Sequence, residues 1–157
     1  MRLLESDLIY DQSVMGERCC VPTVSFTTAY ESELLDNFSQ LPDCDNKALK
    51  VLQTVSSHIQ GISFESLTYK VETPWGVKRL PFQRLSRGES LILICYIAKC
   101  LNKPLTVCYD VVQLSKENLL YFIELFKDFD KLAVVASNNG FYILMENLIN
   151  GKMGNRR

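Results

Sequence analysis

Hydrophobic and polar positions follow several distinct periods along this chain, and each period predicts a different element. Ser90–Leu101 is apolar almost all round, the pattern of a helix buried on most sides rather than of a surface amphipathic one. Leu105–Tyr109 is a continuous apolar run of strand length, as in a parallel sheet covered on both faces. Ser115–Phe129 places Leu119, Phe122, Ile123 and Phe126 at helical spacing and predicts a helix with one buried face. Leu132–Ala136 predicts a second buried strand, SNNG (Ser137–Gly140) a turn, and Phe141–Met145 a third apolar strand. Strand, helix and strand with short connections imply a right-handed parallel crossover.

Upstream the pattern is more mixed. Tyr30–Phe38 predicts a short helix, and PDCDN (Pro42–Asn46) a turn rich in helix-capping residues. Asn46–Ile59 puts Ala48, Leu52, Val55 and Ile59 on one helical face, with Leu49 and Val51 beside it. His58, the single histidine, falls near the end of that predicted helix, where it reads as a surface or dipole-complementing residue. After Gly61 the period shortens. ISFESLTYKV (Ile62–Val71) alternates in part, TPWG (Thr73–Gly76) is turn chemistry and VKRLPFQ continues as a partner strand, which together predict an antiparallel hairpin. Trp75 at its tip has two readings, an exposed contact residue or one packed on a neighbouring surface. Leu8–Val14 and Val21–Phe26 are candidate short strands around a turn at Gly16, and residues 1–28 are the least legible part.

Composition bounds these readings. A chain of 157 residues that is 47% hydrophobic is expected to form one α/β domain over residues 1–150, with GKMGNRR (151–157) a disordered tail. The net charge of -1 argues against a strongly basic nucleic-acid binder while leaving room for a local basic patch. No apolar run approaches the roughly 18 residues of a membrane span. The acids in MRLLESDLIYDQ do not suit a signal peptide, and a cytoplasmic chain is expected. Cys95, Cys100 and Cys108 lie in apolar segments, and no C-x-x-C pair occurs among the six cysteines. Reduced thiols, with neither a disulfide framework nor a zinc site, are expected.

The chemistry concentrates between Arg84 and Asp110. Ser86 and Glu89 form an S-x-x-E capping box ahead of the buried helix, and Gly88 allows another backbone or a ligand to approach. A helix start of this kind can also face an anion. LSRGE (Leu85–Glu89) resembles the L-S-x-G-E/Q signature of ABC-type ATPases, especially the SMC/RecF-like branch. The downstream order is similar too: PLTVCYD (Pro104–Asp110) stands where the Walker B strand would be, and KLAVVASNN (Lys131–Asn139) where the switch strand would be. The resemblance covers roughly the last two-thirds of the chain. It implies a partial P-loop/ABC-type head with a mainly parallel sheet, flanking helices and an antiparallel hairpin.

In that family two heads sandwich ATP, and the signature serine and glycine of one head press on the terminal phosphate held by the other. Carried over, Ser86, Arg87, Gly88 and Glu89 are the candidate nucleotide-binding residues in trans, Asp110 a Walker B remnant, and Ser137 and Asn138 a switch-loop remnant. The departures are equally specific. GERCCVPT (Gly16–Thr23) aligned on a phosphate loop puts Val21 at the second glycine and Pro22 at the lysine, and proline removes an N–H from the cradle. Tyr109–Asp110–Val111 keeps one acid of the Walker B pair, and Asn138 stands near the switch histidine. The expectation is a pseudo-ATPase with no assigned catalytic residue, no metal of its own, and ATP and magnesium shared at most with a Walker A-bearing partner. The setting implied is DNA repair, chromosome handling or phage defence, with DNA reached through the complex. The alternatives are a stand-alone interaction protein that lost nucleotide binding, and a homo-oligomer assembling its own site. Lys70, Lys78, Arg79, Arg84 and Arg87 flank the signature, either as a phosphate-contacting surface or as a solvated hairpin face interleaved with Glu65 and Glu72.

Overall fold

The computed structural model describes residues 2–3, 20–21, 24–108 and 114–135. They divide between two compact units, one formed by Met1–Thr23 with Pro104–Arg157 and the other by Val24–Lys103. The second unit is thus inserted, in chain order, into the first.

The first unit carries a parallel sheet. Its strands are β1 (Arg2–Leu3), β2 (Cys20–Val21), β6 (Leu105–Cys108) and β7 (Leu132–Val135), in the order β1-β7-β6-β2. Leu105 pairs with Leu132 and Val107 with Val134. Leu105, Thr106, Val107, Leu132, Ala133 and Val134 are all buried, which explains why both central strands read as unbroken apolar runs rather than alternating ones. The two are joined through α4 (Lys116–Phe126), the kind of helical crossover that parallel neighbours require. Ser115 caps this helix by accepting the Asn118 N–H at 3.2 Å, and the expected face of Leu119, Phe122, Ile123 and Phe126 is the buried one. The helix stops at Phe126 rather than Phe129, because the chain turns there, with the Phe129 N–H donating to the Phe126 carbonyl.

The second unit contains α1 (Ala29–Phe38), α2 (Cys44–Val55), an antiparallel sheet of β3 (Ile59–Ser63), β4 (Thr68–Thr73) and β5 (Gly76–Pro81), and α3 (Arg87–Leu101). α3 packs against α1 and α2, and α2 against β3. Residues Leu91–Cys95, Ile97 and Ala98 of α3 are buried, as the all-round apolar pattern predicts. A run of edge-to-face aromatic pairs ties the loops to this core: Phe26 to Phe82, Phe82 to Phe64, Phe64 to Phe38 and Phe38 to Tyr96, at centroid distances of 4.8–6.2 Å. Such pairs add stability beyond the area they bury.

Four expectations need correction. The helix predicted to reach Ile59 ends at Val55, where Ser56 turns extended (φ -150°, ψ 100°). Ile59 opens β3 instead, and His58 lies in the intervening turn with its carbonyl accepting the Glu72 N–H at 2.9 Å. The predicted single strand Ile62–Val71 is two strands, because the chain reverses at Phe64–Leu67 with Leu67 in a left-handed conformation (φ 55°). The Phe64 N–H donates to Asp45 Oδ1 at 3.0 Å and the Leu67 carbonyl accepts the Phe82 N–H at 3.1 Å, so the strained turn is held from both sides. The hairpin is therefore a three-stranded meander. Phe26, predicted at the end of a strand, sits in a loop at φ 62° with its ring buried in the aromatic run. Cys100 is exposed on α3, unlike Cys95, because it falls on the one stripe that the core leaves uncovered. The predicted strands at Leu8–Val14 and Phe141–Met145, the turn at Ser137–Gly140 and the tail at 151–157 lie outside the described residues, as does the side chain of Cys108. Among the described residues no helix is long and apolar enough to cross a membrane.

Candidate functional site

The turn that opens α3 is built from anchors on either side. β5 ends at Pro81, and a single 3₁₀ turn, Phe82–Arg84, follows it. The Phe82 ring is fully buried, Leu85 nearly so, and the Leu85 N–H donates to the Phe82 carbonyl at 3.0 Å. These two apolar pegs hold the chain on the core and leave the polar residues between and after them at the surface. Ser86 is extended (φ -62°, ψ 162°) and caps the helix. Its Oγ accepts the Glu89 N–H at 3.2 Å, Glu89 Oε1 accepts the Ser86 N–H at 2.8 Å, and the Ser86 carbonyl accepts the Ser90 N–H at 2.8 Å. The capping box read from S-x-x-E is present with both of its hydrogen bonds.

The box leaves some capacity unused. Ser86 and Arg87 are exposed, Gly88 and Glu89 half-buried. A serine hydroxyl that accepts one hydrogen bond still has its own hydrogen to donate. The Gly88 N–H makes no hydrogen bond within the described residues and belongs to the first turn, where N–H groups point out along the positive end of the helix dipole. Ser86 Oγ–H and the Gly88 N–H are therefore a pair of donors on an exposed helix start. The Ser86 N–H is not available, because the Glu89 carboxylate already holds it.

A neighbour invisible to motif reading completes the site. Tyr69, on the inner face of β4, is buried beneath the turn. Burial first, and the Glu89 carboxylate second, push its phenol above the ordinary tyrosine range, with Arg84 pulling the other way. Tyr69 therefore stays protonated, and neutral, at neutral pH. Its signal in the sequence is only its place opposite Leu80 once the hairpin register is set by the TPWG turn.

The structure thus brings Ser86, Arg87, Gly88 and Glu89 into one turn, with Arg84 and Tyr69 beside it. Asp110, Ser137 and Asn138, the proposed Walker B and switch remnants, lie outside the described residues, as do most of the residues aligned with a phosphate loop. Among the described residues no group of three or more His, Cys, Asp or Glu side chains is placed to hold a metal ion. Set against protein-family models, curated proteins and solved structures, the chain matches none of them.

Proposed function

We propose that this chain is a non-hydrolysing, ABC/SMC-like subunit, a partial P-loop head that docks on a Walker A-bearing ATPase and lends it the α3 turn. The observation that carries this reading is the turn itself. LSRGE opens a buried helix at an exposed Ser86 and a half-buried Gly88, and the parallel pair β6–β7 follows in chain order. Phosphoryl transfer depends mainly on positioning and charge stabilisation, and two donors at a helix start suit a terminal phosphate presented by another chain.

A nucleotide fits this chain only from one side. The described donors suit a phosphate oxygen, whereas Val21 and Pro22 stand at the positions a phosphate loop would give to glycine and lysine. ATP and magnesium would therefore be held by the partner, and the phosphoryl chemistry would be the partner's. This chain's residues would do two things. Ser86 would donate its hydroxyl hydrogen, and Gly88 would let the phosphate approach while donating its N–H. The Glu89 carboxylate, turned back onto the Ser86 N–H, limits the contact to those two groups. The setting would be a DNA repair, chromosome-handling or phage-defence complex in the cytoplasm.

The test is affinity purification of the tagged chain from its host, followed by ATPase assays on what co-elutes. A stoichiometric ATPase whose hydrolysis slows about tenfold when Ser86→Ala replaces the native chain supports the reading, since loss of one transition-state donor costs at least that much. Equal hydrolysis with both chains contradicts it. The second reading, a stand-alone interaction protein, is favoured by the completeness of the capping box, because a cap that satisfies itself needs no ligand. It predicts a co-eluting protein whose activity ignores Ser86 and Gly88.

A further inference from the structure

The hairpin that precedes the turn carries its own unexplained surface. The two-residue loop Pro74–Trp75 sets Thr73 opposite Gly76 and so brings Lys70 directly opposite Arg79. Like charges directly opposite across strands destabilise a sheet, and neither side chain has an acidic partner among the described residues. Arg79 Nη1 instead donates to Thr68 Oγ1 at 2.9 Å, and the Lys70 stem lies 3.8 Å from where a Gly61 Cβ would stand. Glu72, on the same face, is engaged by Gln60 Nε2 at 3.0 Å. Glu65 sits in the Phe64–Leu67 turn, at the end of β4 opposite to the hairpin tip.

At the tip, Trp75 is 87% exposed and Val77 59% exposed. The tip is nonetheless well defined. The Trp75 N–H donates to Thr73 Oγ1 at 3.2 Å, and Thr73 Oγ1 donates to the Gly76 carbonyl at 2.7 Å. Gly76, at φ 115°, takes a conformation that a side chain would strain. A large aromatic ring is thereby projected from a pinned turn without covering any core. Charge on β5 also discourages pairing along a sheet edge, but that role explains neither Lys70 on the central strand nor the exposed indole.

We propose that the β4–β5 hairpin binds single-stranded DNA, with an unpaired base stacked on Trp75 and flanking phosphates held by Lys70 and Arg79. Arg79 lies about 10 Å along the strand from Gly76, so the cationic pair is set back from the indole and would meet phosphates flanking the stacked base. Stacking is tolerant of base identity because every base has a π-face, while Val77 offers apolar surface for a thymine methyl. This surface stands apart from the signature reading, and its test contains no ATPase.

Trp75 is the single tryptophan of the chain, so its fluorescence reports the proposed contact directly. Titrating the full-length protein with a dT oligomer at low salt is expected to quench that emission saturably, with affinity falling as salt rises. With a labelled oligomer followed by anisotropy, Trp75→Ala is expected to weaken binding about 10- to 100-fold. Lys70→Glu with Arg79→Glu is expected to remove binding altogether. Because these side chains are exposed, circular dichroism should show the variants folded. Absence of quenching would overturn the proposal, and so would equal binding of polyglutamate, which would mark an acidic-protein surface. Equal binding of duplex DNA would overturn the stacking contact, and equal binding of an rU oligomer the assignment to DNA.

Discussion

α1 and α3 begin with the same device and use it differently. Both open on a capping box, Thr28 with Glu31 in α1 and Ser86 with Glu89 in α3. In α1 the glutamate is 0% exposed, and its carboxylate accepts from the Ser25 N–H and hydroxyl and from the Thr28 N–H and hydroxyl, at 2.9–3.2 Å. The second helical position is Tyr30. Thr28 is exposed, as Ser86 is, but its hydroxyl hydrogen is spent on Glu31, so this box is closed by its own hydrogen bonds. In α3 the glutamate is half-buried and its carboxylate accepts one backbone N–H at 2.8 Å, the serine is exposed, and the second position is Gly88. The same motif is closed where it only holds a loop and open where it is proposed to meet a phosphate.

That contrast can be broken by substitution. The largest effect is expected from Glu31→Ala, which removes the shared acceptor of donors on half-buried Ser25 and on Thr28 and should cost about 2 kcal/mol of unfolding free energy, read from urea denaturation. Ser86→Ala should cost only about 1 kcal/mol by the same measurement, the usual worth of an exposed N-cap. A loss at position 86 equal to that at position 31 would erase the distinction between the two helix starts. Trp75→Ala should shift stability by less than about 0.5 kcal/mol, as for surface positions outside the packing.

A smaller contrast lies within α3 itself. Burial pushes the Cys95 thiol far above its ordinary value, whereas Cys100 is exposed. Cys95 keeps its proton in the folded state after the unfolded chain begins to lose it, near the ordinary thiol value of 9.0. The unfolded state then binds fewer protons, so Cys95 contributes a fall in stability as pH rises through that value. Cys95→Ala should flatten that alkaline decline, seen as unfolding midpoints between pH 7 and 10. In the native protein a thiol reagent should lose one fast-reacting group on Cys100→Ser and none on Cys95→Ser.

Much of α3 and of the parallel pair could be read directly, because burial on all sides leaves a simple apolar signature. The α3 box was legible because an unbroken apolar run follows Ser86 and Glu89. The α1 box has the same T-x-x-E spacing at Thr28–Glu31, but the next residues mix acids with leucines and hide it. The β3–β4 break was illegible for a different reason. Phe64–Leu67 contains no glycine, proline or asparagine, and the left-handed Leu67 is tolerated only through partners distant in sequence, Asp45 and Phe82. The helical period runs past the end of α2 because Ile59 continues it while pointing into the core from a strand. Lys70 and Arg79 stand out in the sequence as part of a basic cluster, but their direct opposition depends on the two-residue turn.

The measurement that tests the open α3 turn most directly is ATP hydrolysis by the co-purified complex carrying Gly88→Arg. Arginine is a better helix former than glycine, so the unfolding midpoint should hold or rise slightly while the bulk blocks phosphate approach. Stimulation of the partner's hydrolysis lost at an unchanged or higher midpoint is the predicted result. Full stimulation by the same folded variant would show that no phosphate approaches Gly88 and would contradict the account.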